Sequence, residues 1–241
     1  HFVNNLEILA NYGVKTLRLS DEMFFLNKKF YIPILEEIIK RGLKFNMWAY
    51  ARIDTIREDQ LTLFKEAGIN WLCPGIEAGN QIVRKDIEKG RFEEINIRDV
   101  VGLVNKYDIN ILGNYIFGLP EDNIDRMNET LDLAMELNTE HANFYPCQAL
   151  PGSPLYFEAK KNNWEIPKKF EEYAFFSYEC KPLRTKYCSS KEVLEFRDKA
   201  WQKYFTNPSY LKKVETKFGK ENMENIKKMS KITLKRKILE N

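Results

Sequence analysis

An α/β fold built on a parallel sheet is what this sequence predicts, and three observations predict it. Amphipathic helical patterns alternate with short apolar strands through the first two-thirds of the chain. Three of those helices stop at a glycine (Gly13, Gly42 and Gly68), the residue that enters the left-handed conformation without a Cβ penalty. Strand segments such as Trp71-Leu72-Cys73 and Asn143-Phe144-Tyr145 are continuous rather than alternating, as expected where both faces of a sheet are covered. Helices set between parallel strands imply right-handed crossovers.

The elements follow in order. Helix Phe2–Tyr12 leads into strand Lys15–Ser20, and helix Ile32–Arg41 into strand Lys44–Tyr50. Helix Glu58–Ala67 precedes strand Asn70–Gly75, and helix Ile95–Tyr107 precedes a strand ending at Gly118. Helix Asp122–Leu137 then feeds strand His141–Cys147. From about Leu155 the pattern changes: a short helix Tyr156–Asn162, an irregular aromatic stretch Trp164–Lys181, then helices Lys191–Phe205, Ser209–Phe218 and Glu221–Glu240. The expected division is 1–157 for the sheet and its helices and 158–241 for a mostly α-helical extension.

A chain of 241 residues buries roughly 70–75% of its extended surface, enough for one sizeable core and an appendage. No apolar run approaches the ~20 residues that span a bilayer, and no leader pattern precedes the first helix, so a soluble cytoplasmic protein is expected. The chain opens on His1 and enters a helical pattern at once, which reads as a fragment of something longer. Its net charge of +3 is uneven, because Asn207 to Asn241 holds ten Lys/Arg against four Glu. A solvated basic face or contact with an acidic partner fits that tail; without an aromatic-rich basic stripe, nucleic acid is not favoured. Cys73, Cys147, Cys180 and Cys188 form no CxxC pair and no zinc-type array, which predicts reduced, mostly buried thiols and no metal ligands within the chain.

In such a sheet ligands gather at the carboxyl ends of the strands. The residues there are Ser20-Asp21-Glu22-Met23-Phe24, Ala51-Arg52-Ile53-Asp54, Gly75-Ile76-Glu77-Ala78-Gly79-Asn80, Gly118-Leu119-Pro120-Glu121 and Pro146-Cys147-Gln148-Ala149-Leu150-Pro151-Gly152. Each has a bland role available, Asp21 or Ser20 as a helix cap and Arg52 with Asp54 as a surface pair. Gly118 lacks a Cβ, so a planar ligand has room beside the backbone. Asn114, Ile116, Gly118 and Glu121 have the spacing of GxIxGxxE, with asparagine for the first glycine.

Read in order, SDEMF, ARID, GIEAGN, Lys89-Gly90, YIFGLPED and ALPGSPLY resemble the strand-end motifs of the radical S-adenosylmethionine (SAM) superfamily, and within it the branch with an upstream cobalamin-binding domain. The resemblance covers about residues 1–160. It implies a partial (β/α) barrel of the radical SAM type, with about five parallel strands present and the first missing, followed by the α-helical extension. It also implies an enzyme that reductively cleaves SAM to a 5′-deoxyadenosyl radical, as a cobalamin-dependent methyltransferase or a cyclase acting on a small-molecule substrate.

The departure from the pattern bears on chemistry. The superfamily holds a [4Fe-4S] cluster with three cysteines in CxxxCxxC after the first strand, and no such motif occurs here. The ligands are therefore expected outside this chain, in an upstream part of the same polypeptide, and the chain alone is expected to be inactive. By resemblance, Ser20, Asp21 and Glu22 line the rim that meets the methionine amino group, and Arg52 pairs with the SAM carboxylate. Glu77 serves the ribose, and Asn114, Ile116 and Gly118 cover the adenine. Together these polar strand ends are expected to surround one nucleoside-sized hollow. Two other readings stand beside this one: a metal-free (β/α)-barrel lyase or isomerase using Asp21, Glu77 or Glu121 as acid and base, and a non-enzymatic module binding through the basic tail. Catalytic residues are not identified by the sequence.

Overall fold

The computed structural model describes residues 1–86 and 95–240. Helices and strands alternate as α1 (Phe2–Asn11), β1 (Thr16–Leu19), α2 (Lys28–Lys40), β2 (Asn46–Arg52), α3 (Glu58–Glu66) and β3 (Ile69–Glu77). They continue as α4 (Gln81–Asp86), α5 (Ile97–Lys106), β4 (Asn110–Phe117), α6 (Ile124–Leu137) and β5 (His141–Pro146). The later part is helical: α7 (Pro154–Lys161), α8 (Phe170–Tyr173), α9 (Ser190–Phe205), α10 (Pro208–Phe218), α11 (Lys220–Ser230) and α12 (Lys237–Glu240). The five strands hydrogen-bond in the order β1-β2-β3-β4-β5, with β1 beside β2 and β2 beside β3 both parallel. Sequential order in a parallel sheet follows when every connection is a helix wound in one hand.

Two compact units make up the chain: His1–Ile76 with Gly90–Asn114, and Glu77–Lys89 with Tyr115–Asn241. In the first, β2 alternates, burying Met47, Ala49 and Ala51. Phe25, Tyr31 and Phe64 form an aromatic knot beneath α2 and α3, with Phe25 and Phe64 ring centroids 4.3 Å apart. Burying side chains of that size stabilises a fold by about 1.5–3 kcal/mol each. Helix α2 begins four residues before the expected Ile32, because Asn27 Oδ1 accepts from the Lys29 amide at 3.0 Å and caps it there.

In the second unit, Phe117 stacks on Phe144 at 5.5 Å, and Tyr115 and Tyr204 each lie 5.4 Å from the same ring. Helix α9 opens on a reciprocal Ser189–Glu192 capping box, which fixes where its apolar face starts. The last helix expected from the sequence, Glu221–Glu240, is broken: α11 ends at Ser230, and residues 231–236 run as a strap to α12. Arg236 sets that break. Its buried guanidinium bonds both oxygens of Asp198 and the carbonyls of Phe175 and Ser177, a set that a continued helix would forgo.

Candidate functional site: the strand ends

The strand-end residues divide between the two units. In the first, Ser20, Asp21 and Glu22 follow β1 and are exposed. Asp21 Oδ1 accepts from the Met23 amide at 2.8 Å, so its carboxylate closes an Asx turn as well as facing solvent. Arg52 ends β2 with its fork on Asp54, Nε to Oδ1 at 2.9 Å and Nη2 to Oδ2 at 2.7 Å. That pair raises the guanidinium pKa further above its already high ordinary value. Glu22, Arg52 and Thr55 border one small hollow, which brings together the ends of β1 and β2. Asn114 Nδ2 donates to Pro74 O at 3.2 Å and Leu112 O at 3.3 Å, tying β4 to β3 from a half-buried position.

In the second unit, Glu77 closes β3 at 8% exposure with φ of +63°. A non-glycine residue held in the left-handed region costs of order 1–3 kcal/mol and persists where the surroundings demand it. The surroundings are plain. Gly79 is pressed against α6, where a Cβ would stand 2.6 Å from the Glu129 carbonyl oxygen, and its amide donates to Thr130 Oγ1 at 2.9 Å. Asn80 caps α4 through Oδ1 and donates to Glu129 Oε2 at 2.8 Å. The GIEAGN turn is thus docked by Gly79 and Asn80, and Glu77 is turned sharply at the strand end. Ile116 packs against the small cluster of Ala78, Val83, Leu119 and Cys147.

Gly118 requires a correction. Its φ is +86°, and the space a Cβ would take is filled by Val193 of α9, whose Cγ1 would lie 2.4 Å away. The room beside Gly118 therefore admits a side chain of this protein rather than a planar ligand. Its amide is also committed, donating to Asp122 Oδ2 at 2.9 Å, while Leu119 donates to the same oxygen at 3.0 Å.

Asp122 is the residue that sequence reasoning missed. It is fully buried, and among the described residues Oδ1 has no hydrogen-bond partner. Burial pushes its pKa up to about 7 against the lowering effect of the two amides. The available signal was an aspartate two residues after Pro120, at the foot of a helix, where a carboxylate accepts from free amides. Glu121 beside it is paired with Lys186 and with Arg126, the latter at 3.8 Å.

All four cysteines are free and buried, and burial pushes the Cys73 and Cys147 thiols up to about 12. Among the described residues no group of three or more His, Cys, Asp or Glu is placed to hold a metal. Lys89 and Gly90 lie outside the described residues.

The Radical SAM superfamily pattern matches residues 2–134. The chain belongs to the radical SAM superfamily. It is 27% identical over 210 residues to an uncharacterized methyltransferase of Pyrococcus horikoshii, spanning 87% of this chain and 45% of that protein. It is 25% identical to the bacteriochlorophyllide d C-12(1)-methyltransferase of Chlorobaculum tepidum, covering 85% of this chain and 44% of the relative. With the anaerobic magnesium-protoporphyrin IX monomethyl ester cyclase of Rubrivivax gelatinosus the identity is 28%, over 87% of this chain and 37% of the cyclase. The chain therefore spans less than half the length of these relatives. Among solved structures, the radical SAM methyltransferase TsrM of Kitasatospora setae superposes with a TM-score of 0.60 at 19% identity, covering 86% of this chain and 41% of that one. That likeness shows the fold: an α/β partial (β/α) barrel of the radical SAM type, as expected from the strand-end motifs.

Proposed function

We propose that this chain is the SAM-binding portion of a radical SAM enzyme that methylates or cyclises a small organic substrate, with the cluster ligands and a cobalamin supplied by polypeptide outside it. The named activities of its relatives, two methyltransferases and one cyclase, support that pairing of outcomes. The reductive chemistry is the cluster's contribution; this chain's residues bind and orient SAM. Exposed Asp21 and Glu22 attract the methionine ammonium. Arg52, oriented by Asp54, meets the methionine carboxylate. Glu77 accepts from the ribose hydroxyls, and Ile116, with Asn114 near it on β4, supplies the adenine contact. Gly118 contributes the turn that ends β4.

The observation that carries this reading is Glu77, a largely buried carboxylate in a left-handed conformation at the end of a parallel strand. A metal-free acid–base enzyme gains no support from Glu121, which is ion-paired, nor from Asp21, which closes a turn. Calorimetric titration of the chain with SAM tests the proposal. Binding is expected, weakened about tenfold in Glu77→Gln, the equivalent of one charge-assisted hydrogen bond. After iron and sulfide treatment the chain is expected to release no 5′-deoxyadenosine. Absence of SAM binding would remove the proposed role, and 5′-deoxyadenosine made by this chain alone would overturn the placing of cluster ligands outside it.

A further inference from the structure

The second unit holds a cavity of about 870 Å³ that none of Glu77, Ile116 or Gly118 lines. Its walls are Phe144 and Tyr145 of β5, Trp201 of α9, Phe176, and Met229 and Leu234 around the C-terminal strap. That size and apolar character are those of small-molecule sites, which run to roughly 300–1,000 Å³ and carry few, placed polar groups.

The placed group is Arg197. Its side chain is 4% exposed; Nε donates to Phe144 O at 2.8 Å and Nη1 to Asp198 Oδ1 at 2.7 Å. Among the described residues nothing pairs with Nη2, and Phe176 covers the guanidinium at 5.3 Å from its ring centroid. Asp198 does not balance this charge alone, because Arg236, wholly buried, bonds both of its oxygens at 2.8 and 3.0 Å. Two buried guanidiniums thus share one carboxylate. The cavity's other charged walls do not redress the excess: Glu195 is paired with Lys199, and Lys203 adds a further cation. A buried cation without its own counter-charge is costly, and an anion entering the cavity removes that cost.

We propose that this cavity binds an apolar organic anion, a carboxylate on an aromatic or aliphatic body, with the carboxylate on Arg197 and the body against Phe144, Trp201 and Leu234. The strap held by Arg236 forms one wall, so the break between α11 and α12 shapes the site. The inference is independent of SAM binding, and its test uses a ligand without adenosine.

The whole chain is titrated with 1-pyrenebutyrate and, in parallel, with the neutral 1-pyrenebutanol, following pyrene and tryptophan fluorescence. The acid is expected to bind about tenfold more tightly than the alcohol, the worth of one charge-assisted hydrogen bond. Arg197→Met should erase that preference while leaving the alcohol's affinity unchanged, and Leu234→Trp, which sets an indole where the ligand's body is placed, should abolish binding of both. Should Arg197→Met fail to fold, the acid-to-alcohol ratio of the parent chain and its loss in Leu234→Trp decide the matter. Equal affinity for acid and alcohol, or binding that survives Leu234→Trp, overturns the proposal.

Discussion

The Asp122 carboxyl is buried with one oxygen accepting from the Gly118 and Leu119 amides and the other without a partner among the described residues. A lone buried oxygen is where a proton resides at little cost, which agrees with a pKa of about 7. An unfolded aspartate titrates near ~4, so the folded chain holds this proton more tightly. The stabilising contribution is complete below about pH 4, falls as pH rises towards about 7 and levels off above it, by up to about 4 kcal/mol in all. Urea unfolding at pH 5 and pH 7.5 should show that decline in the parent chain and lose this component of it in Asp122→Asn. Asp122→Ala, which strands two amides, should cost about 2–4 kcal/mol at pH 5. An unchanged pH slope in Asp122→Asn would place the titration elsewhere.

Helix α9 enters the end of β4 through Val193, and this contact sets the cost of altering Gly118. A Cβ there meets Val193 and must also adopt φ of +86°. Gly118→Ala should therefore destabilise the chain by about 2–4 kcal/mol, with part recovered when Val193→Ala is added; additive losses in chemical denaturation would show that the two residues do not meet. The alternation of helix and strand was legible because helical period, glycine stops and apolar strands all agree locally. The role of Gly118 was not, since a missing Cβ looks the same in sequence whether a ligand or a distant valine fills the space. Nor was Arg52's partner decided, although Asp54 is two residues away, because a fork can serve a neighbour or a ligand. The strap at 231–236 escaped notice for a similar reason: the periodicity continues, and Arg236 breaks the helix through Asp198, 38 residues away. At the other end of the strand order, β1 pairs only with β2 in the described sheet. Unpaired strand edges template association, so light scattering should find oligomers at high concentration, and a strict monomer would count against an open edge.

Across the whole chain, the uneven charge is partly consumed by folding. Lys213 and Lys217 both reach buried Glu140 at 3.0 Å, Arg236 holds Asp198, and Lys237 pairs with Glu179. The basic tail is thus in part a docking device for its own unit, which weakens its reading as a surface for an acidic partner. Among the described residues no helix is long and apolar enough to cross a membrane. What remains distinctive is the presence of polar groups at the strand ends of a radical SAM chain whose four cysteines are free and buried. The most direct test of the SAM-binding role proposed for them is an amide spectrum of the ¹⁵N-labelled chain titrated with S-adenosylhomocysteine. The account predicts shifts concentrated at Asp21, Glu22, Arg52, Glu77, Ala78 and Asn114 to Gly118, saturating together with one binding constant. Shifts confined to other elements, or sets of these residues responding with different constants, would contradict it.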